Sequence, residues 1–224
     1  MSETLQTTRF PGETTAYREA RERLLKSELE LRRQIEQVAA ERRALPPGGP
    51  VPQDYVFHEG DDGRAVRFSD LFGRHETLLV YSYMFGPAKN QPCAACTSIL
   101  DALDGQVGHV TQRAALVVVA QSPIERILAF ARPRGWRNLR LLSAAGTTYQ
   151  RDYFGEGRTG DQFPMLNVFH RDGGAIRHVW GTELLFAPPE PGQAPRHVDA
   201  IWPLWNLLDL TPEGRSDFNP RLTY

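Results

Sequence analysis

Cysteine is scarce in this chain: 224 residues carry two, Cys93 and Cys96. So few thiols exclude a disulfide framework, and a chain of this length buries roughly 70% of its unfolded surface without one. An excess of one charge is also missing, with 26 basic against 27 acidic residues. A global basic field for holding nucleic acid is therefore absent, although local patches stay open. No stretch approaches the ~18 consecutive apolar residues of a membrane span. The opening segment MSETLQTTRFPGETTAYREA has no basic start followed by an apolar run, so it does not read as a secretory signal. A cytoplasmic location is expected. Reductants there keep routine structural disulfides open, and a close cysteine pair is more often catalytic or metal-binding.

What is there begins with a helix. Residues 13–45 read as one long helix, with Thr14 or Thr15 as cap and neither Gly nor Pro until Pro46-Pro47-Gly48-Gly49-Pro50 ends the pattern. Tyr17, Leu24, Leu31, Val38 and Leu45 recur every seven residues. The second apolar position of a heptad is filled by Ala20, Ser27, Gln34 and Glu41, so a strong coiled coil is not encoded. The helix is expected to pack along a domain or along a partner subunit, and a homodimer is one reading.

Beyond the break, strands and helices alternate. Tyr55–Phe57 and Ala65–Phe68 read as short strands around an Asp61-Asp62-Gly63 turn. TLLVYSYM at Thr77–Met84 and AALVVVA at Ala114–Ala120 are apolar runs of strand length, suited to a sheet covered on both faces. Ala94–Leu103 reads as a helix. A second helix starts at Ser122-Pro123-Ile124-Glu125, with Ser122 as the expected cap. Leu139–Leu142 is a strand, and Met165–His170 and Ala175–Trp180 form a hairpin across Arg171-Asp172-Gly173-Gly174. This order predicts an α/β fold with a central mixed sheet flanked by helices. The expected organisation is a helical extension over 1–50, the α/β domain over 51–185, and a Pro- and Trp-rich extension over 186–224. Trp202 and Trp205 predict that this tail packs on the domain, because exposing so much aromatic surface is costly.

Cys93-Ala94-Ala95-Cys96 falls where the loop after TLLVYSYM enters a helix. A helix N-terminus favours a thiolate over a thiol, which makes Cys93 the expected nucleophile and Cys96, a turn further in, the resolving thiol. Other readings stay open. A closed zinc site wants four ligands, whereas His58, His75, His109, His170, His178 and His197 are scattered. Two inert buried thiols are possible. Copper(I) held by both thiolates, with His170 or His178 as third ligand, is another.

AAERRALP, YVFHEGDDG, FSDLFG, YMFGPAKNQPCAAC, VVVAQSP, AFARPRGW and LDLTPEGRSDF together resemble a thioredoxin-like family of unknown function. That family is related to the alkyl hydroperoxide reductase/thiol-specific antioxidant group, and the resemblance spans about residues 13–224. It implies a thioredoxin-like fold and dithiol chemistry at Cys93 and Cys96, with no cofactor and no resident metal. The implied partners are a disulfide-containing protein, or a small thiol or peroxide, and an external thiol reductant. In thioredoxin folds a cis-proline faces the dithiol. Phe163-Pro164 resembles that arrangement and is the expected substrate-binding pair, with cis and trans both open. The chain departs from better-known relatives. Where a peroxiredoxin carries Pro and Thr or Ser before its peroxidatic cysteine, it has Gly86 and Asn90, and where thioredoxin has Trp-Cys-Gly-Pro-Cys it has Pro92-Cys93-Ala94-Ala95-Cys96. The expected activity is thiol–disulfide exchange. The alternatives are a peroxide reductase and a non-enzymatic scaffold or copper(I)-handling protein.

Overall fold

A computed structural model describes residues 8–223, which fall into two compact units divided between Pro46 and Pro47. The first unit is built on α1 (Thr15–Arg43). Thr14 caps it by accepting the Tyr17 backbone N–H on Oγ1 at 3.2 Å. Arg42 and Arg43 in the last turn complement the negative end of the helix dipole.

The second unit carries β1 (Val56–Glu59), β2 (Arg64–Arg67), β3 (Thr77–Ser82), β4 (Ala115–Ala120), β5 (Leu141–Ser143), β6 (Leu166–Asp172) and β7 (Ala175–Gly181). Its helices are α2 (Ala94–Asp104), α3 (Val107–Val110), α4 (Ile124–Arg134), α5 (Tyr149–Asp152) and α6 (Pro203–Leu208). Short 3₁₀ turns lie at Phe68–Phe72, Glu183–Phe186 and Asp199–Ile201. All seven strands join one sheet in the order β2-β1-β5-β4-β3-β6-β7. Strands β3, β4 and β5 run parallel, while β6 is antiparallel to both β3 and β7. The four-strand core β7-β6-β3-β4, with only β6 reversed, makes the fold thioredoxin-like.

Alternation along the central strands separates two cores. Leu78 and Val80 of β3, with Val117 and Val119 of β4, join Tyr55, Phe57, Phe68, Phe72, Tyr149 and Phe169 on one face. Tyr81, Tyr83, Val118 and Ala120 face the other way, against Cys96, Ile99 and Leu100 of α2 and Ile127 of α4. Both faces of β4 are thereby buried, which accounts for its unbroken apolar run. The β6–β7 hairpin turns through Gly173 (φ 55°) and Gly174 (φ 87°), a pair of left-handed residues that glycine adopts without strain.

Some local expectations are corrected. The run from Thr77 leaves strand geometry after Ser82. Ser122 does not cap α4: the N-cap is Pro123, without a side-chain hydrogen bond. Ser122 is instead one residue too early, and its carbonyl accepts the Ser143 hydroxyl at 2.8 Å, tying the loop to β5. α3, α5 and the short 3₁₀ turns are additional elements.

The C-terminal tail packs on the second core. Trp202 is buried and Trp205 half-buried beside it, with ring centroids 4.9 Å apart. Trp202 Nε1 donates to Ser98 Oγ of α2 at 3.2 Å.

Candidate active site

β3 ends at Ser82, and the chain then follows an irregular loop before α2 opens at Ala94. The loop is pinned at both ends. The Cys93 N–H donates to the Met84 carbonyl at 3.1 Å, and Arg126 of α4 reaches across its middle. The Arg126 guanidinium donates to the Gly86 carbonyl at 3.2 Å, to the Pro87 carbonyl at 3.1 Å and to the Lys89 carbonyl, while stacking over the Phe85 ring. At Gly86, where a peroxiredoxin carries proline, an added Cβ would come within 2.5 Å of Gln162 Nε2. That atom is the far end of a flexible side chain, which a larger residue would have to displace.

Cys93 is the N-cap of α2. Its Sγ accepts the Cys96 backbone N–H at 3.4 Å, so a sulfur occupies the place usually taken by a Ser or Asp oxygen. Both thiols are free, Cys93 partly exposed and Cys96 buried. The hydrogen bond from the Cys96 thiol lowers the Cys93 pKa to about 6, against the opposing effect of burial. The backbone N–H groups of Cys96 and Ala95 and the charge of Lys89 act in the same lowering sense. Cys96 is pushed the other way, by its bond to Cys93, by burial and by the Cys93 charge. The pair is therefore asymmetric.

A hydroxyl chain holds the first turn. Thr97 Oγ1 donates to the Cys93 carbonyl at 2.8 Å, so Tyr83 is the donor in its 2.7 Å bond to Thr97. Tyr83, Thr97 and Arg126 were not recognisable as site residues from sequence, since nothing local marks a residue that acts by supporting a loop distant in the chain.

The expected substrate-binding pair is split by direction. Pro164 lies at the head of β6, and the Ser82 N–H donates to the next carbonyl, Met165, at 2.7 Å. That places it at the end of β3 from which the dithiol loop departs. No cis peptide bond occurs among the described residues, so Phe163–Pro164 is trans. The Met165 N–H closes onto the Phe163 carbonyl at 2.9 Å, a tight turn about Pro164. The Phe163 ring instead lines an open cavity of about 820 Å³ with Phe154, Phe186, Arg151 and Arg158. A second cavity, of about 560 Å³, borders Ala95 of the dithiol and is walled by His197, Trp202, Trp205 and Phe218 of the tail.

The two candidate copper ligands lie away from the thiols. His170 pairs with Thr77 at the start of β3, five residues before the end that leads to Cys93, which is roughly 16 Å of strand. His178 bonds Asn167 Oδ1 at 2.9 Å. Among the described residues no cluster of three or more His, Cys, Asp or Glu side chains could hold a metal ion. None of the described helices is long and apolar enough to cross a membrane.

The family model described as "Bacterial protein of unknown function (DUF899)" matches residues 7–223. The chain belongs to that family. No curated protein matches it. Among solved structures, it is similar to a peroxiredoxin-like protein from Aquifex aeolicus at 13% identity and a TM-score of 0.43, covering 61% of this chain and 75% of that one. A putative thiol-disulfide oxidoreductase from Bacteroides vulgatus is similar at 13% identity and a TM-score of 0.44, over 70% of this chain and 97% of that one. The exposed lipoprotein thioredoxin of Streptococcus pneumoniae is similar at 13% identity and a TM-score of 0.41, over 68% and 99%.

Proposed function

We propose that this DUF899 protein is a thiol–disulfide oxidoreductase in which Cys93 attacks and Cys96 resolves. The observation that carries the reading is the placement of Cys93 Sγ at the N-cap of α2, with the Cys96 N–H directed at it and a pKa of about 6. At neutral pH such a sulfur is mostly thiolate, the form that attacks a disulfide. Attack gives a mixed disulfide on Cys93 and expels the first thiolate of the substrate. Cys96 then attacks Cys93 Sγ, forming the intramolecular disulfide and releasing the second thiol. An external thiol reductant restores the pair.

The substrate is a disulfide-bearing protein or small molecule. The cavity bordering Ala95 supplies apolar wall beside the thiols. Pro164, at the head of β6 beside the end of β3, is the second substrate-facing residue of this reading, while the Phe163 ring serves a separate cavity. The test is turnover of a small aromatic disulfide with a dithiol reductant, set beside thiol loss on exposure to hydrogen peroxide. Rapid disulfide turnover with slow peroxide reaction supports exchange. Rapid loss of both thiols to peroxide without disulfide turnover replaces it with a peroxide reductase, in which Cys96 condenses with a sulfenic acid on Cys93.

A further inference from the structure

Tyr81 of β3 and Tyr83, just past its end, face α2, and their hydroxyls are in opposite circumstances. Tyr83 is spent on Thr97. Tyr81 is fully buried, and among the described residues its hydroxyl makes no completed hydrogen bond. The polar group beside it is the Cys96 thiol, with which it shares the second core. A buried hydroxyl left without a partner costs on the order of 1–3 kcal/mol. Tyr149 carries another such hydroxyl in the other core, but that of Tyr81 abuts the buried thiol of the dithiol pair.

We propose that Tyr81 is a catalytic residue of the second step, its hydroxyl donating a hydrogen bond to the Cys96 thiolate as that sulfur attacks the mixed disulfide. This rests on the dithiol reading above. In the resting pair the Cys96 thiol donates to Cys93, and that bond, together with burial and the Cys93 charge, holds its proton on. Once Cys93 Sγ is bonded to substrate sulfur, the bond and the charge are gone. Burial remains, and it penalises the thiolate that must form. The Tyr81 hydroxyl acts in the opposite sense, as does the Met84 backbone N–H. Burial keeps the Tyr81 phenol protonated, so it is a donor throughout the neutral range. The step balances without an added oxidant. Cys96 loses its proton, its electron pair forms the bond to Cys93 Sγ, and the Cys93–substrate bond breaks towards the departing thiolate, which takes up a proton.

The experiment follows the two equivalents of coloured thiolate released when the reduced full-length protein is mixed with dithiobis-nitrobenzoate. The first release reports attack by Cys93 and the second reports attack by Cys96. Tyr81→Phe is expected to leave the first release within about twofold and to slow the second at neutral pH. A hydrogen bond to a charged group predicts about tenfold or more. Its pH midpoint moves upward, and the melting temperature is unchanged or higher because an unsatisfied hydroxyl has gone. Tyr149→Phe, whose hydroxyl is likewise buried without a partner but lies in the other core, leaves the pH midpoint of the second release in place. An unchanged second release in Tyr81→Phe overturns the role of Tyr81 while the dithiol reading stands. Equal shifts of the midpoint in both variants overturn it as well, because packing alone would then explain them. If the wild-type protein releases no first equivalent, the dithiol reading fails and this proposal with it.

Discussion

The backbone N–H of Cys96 lies 3.4 Å from Cys93 Sγ and is directed at it, so the first turn of α2 is capped by a sulfur. This relationship couples helix stability to thiol ionisation. A thiolate is a better acceptor for that N–H than a thiol, and the helix dipole favours the same charge.

A pH dependence of stability follows from it. The Cys93 pKa falls from an ordinary value of 9.0 to about 6 in the folded protein. A depressed acid pKa contributes stability that is fully present above the unfolded value and is lost as pH falls through the folded one. Reduced wild-type protein should therefore gain melting temperature relative to Cys93→Ser between about pH 6 and 9. Cys96 is shifted upward and opposes this only at higher pH. Calorimetry under reducing conditions checks it, and a constant difference across that window contradicts the cap.

Trp202 should be a stability determinant. It is buried against α2 and donates to Ser98. Trp202→Ala is expected to cost roughly 3–5 kcal/mol, a drop on the order of 10 °C in melting temperature for a chain of this size. Trp205→Ala should cost less, since Trp205 is only partly covered. An unmoved transition in Trp202→Ala would make the tail peripheral.

Arg126 should hold the dithiol loop. Removing a guanidinium that serves the Gly86, Pro87 and Lys89 carbonyls is expected to cost about 2 kcal/mol. The loop at residues 86–92 should also become the first site of cleavage in limited proteolysis of Arg126→Ala. Cleavage that begins elsewhere at the wild-type rate would assign the loop's order to the anchors at its ends.

The central strands and the dithiol helix were legible in the sequence because their signals are local. Thr77–Ser82 and Ala115–Ala120 are buried on both faces and read as apolar runs, and a loop into a helix at Ala94 puts Cys93 at its start. Long-range placement was not legible. His170 was a candidate ligand until the register of β6 on β3 set it opposite Thr77, away from the thiols. Arg126 and Tyr81 carry no motif, because one acts on a loop 37–40 residues away and the other through a face of β3 that only packing reveals. Ser122 misled because a Ser-Pro pair caps well in isolation, while here its carbonyl is claimed by Ser143.

The seven-residue stripe of α1 gives a fourth expectation. Tyr17, Leu24, Leu31 and Val38 fall on one exposed line of the helix, and pairing of two such lines in a homodimer is the expectation. Light scattering should show a mass near two chains for the full protein and near one after residues 1–46 are removed. An unchanged assembly state would leave α1 without a role in association.

The most direct measurement is intact-protein mass spectrometry after a brief pulse of a small disulfide at neutral pH. Cys96→Ser should accumulate one mixed disulfide, mapped to Cys93, and Cys93→Ser should accumulate none. Iodoacetamide labelling of Cys93 in the wild-type protein should follow a midpoint near pH 6. An adduct on Cys96 in the Cys93→Ser protein, or labelling of Cys96 before Cys93, would contradict the account.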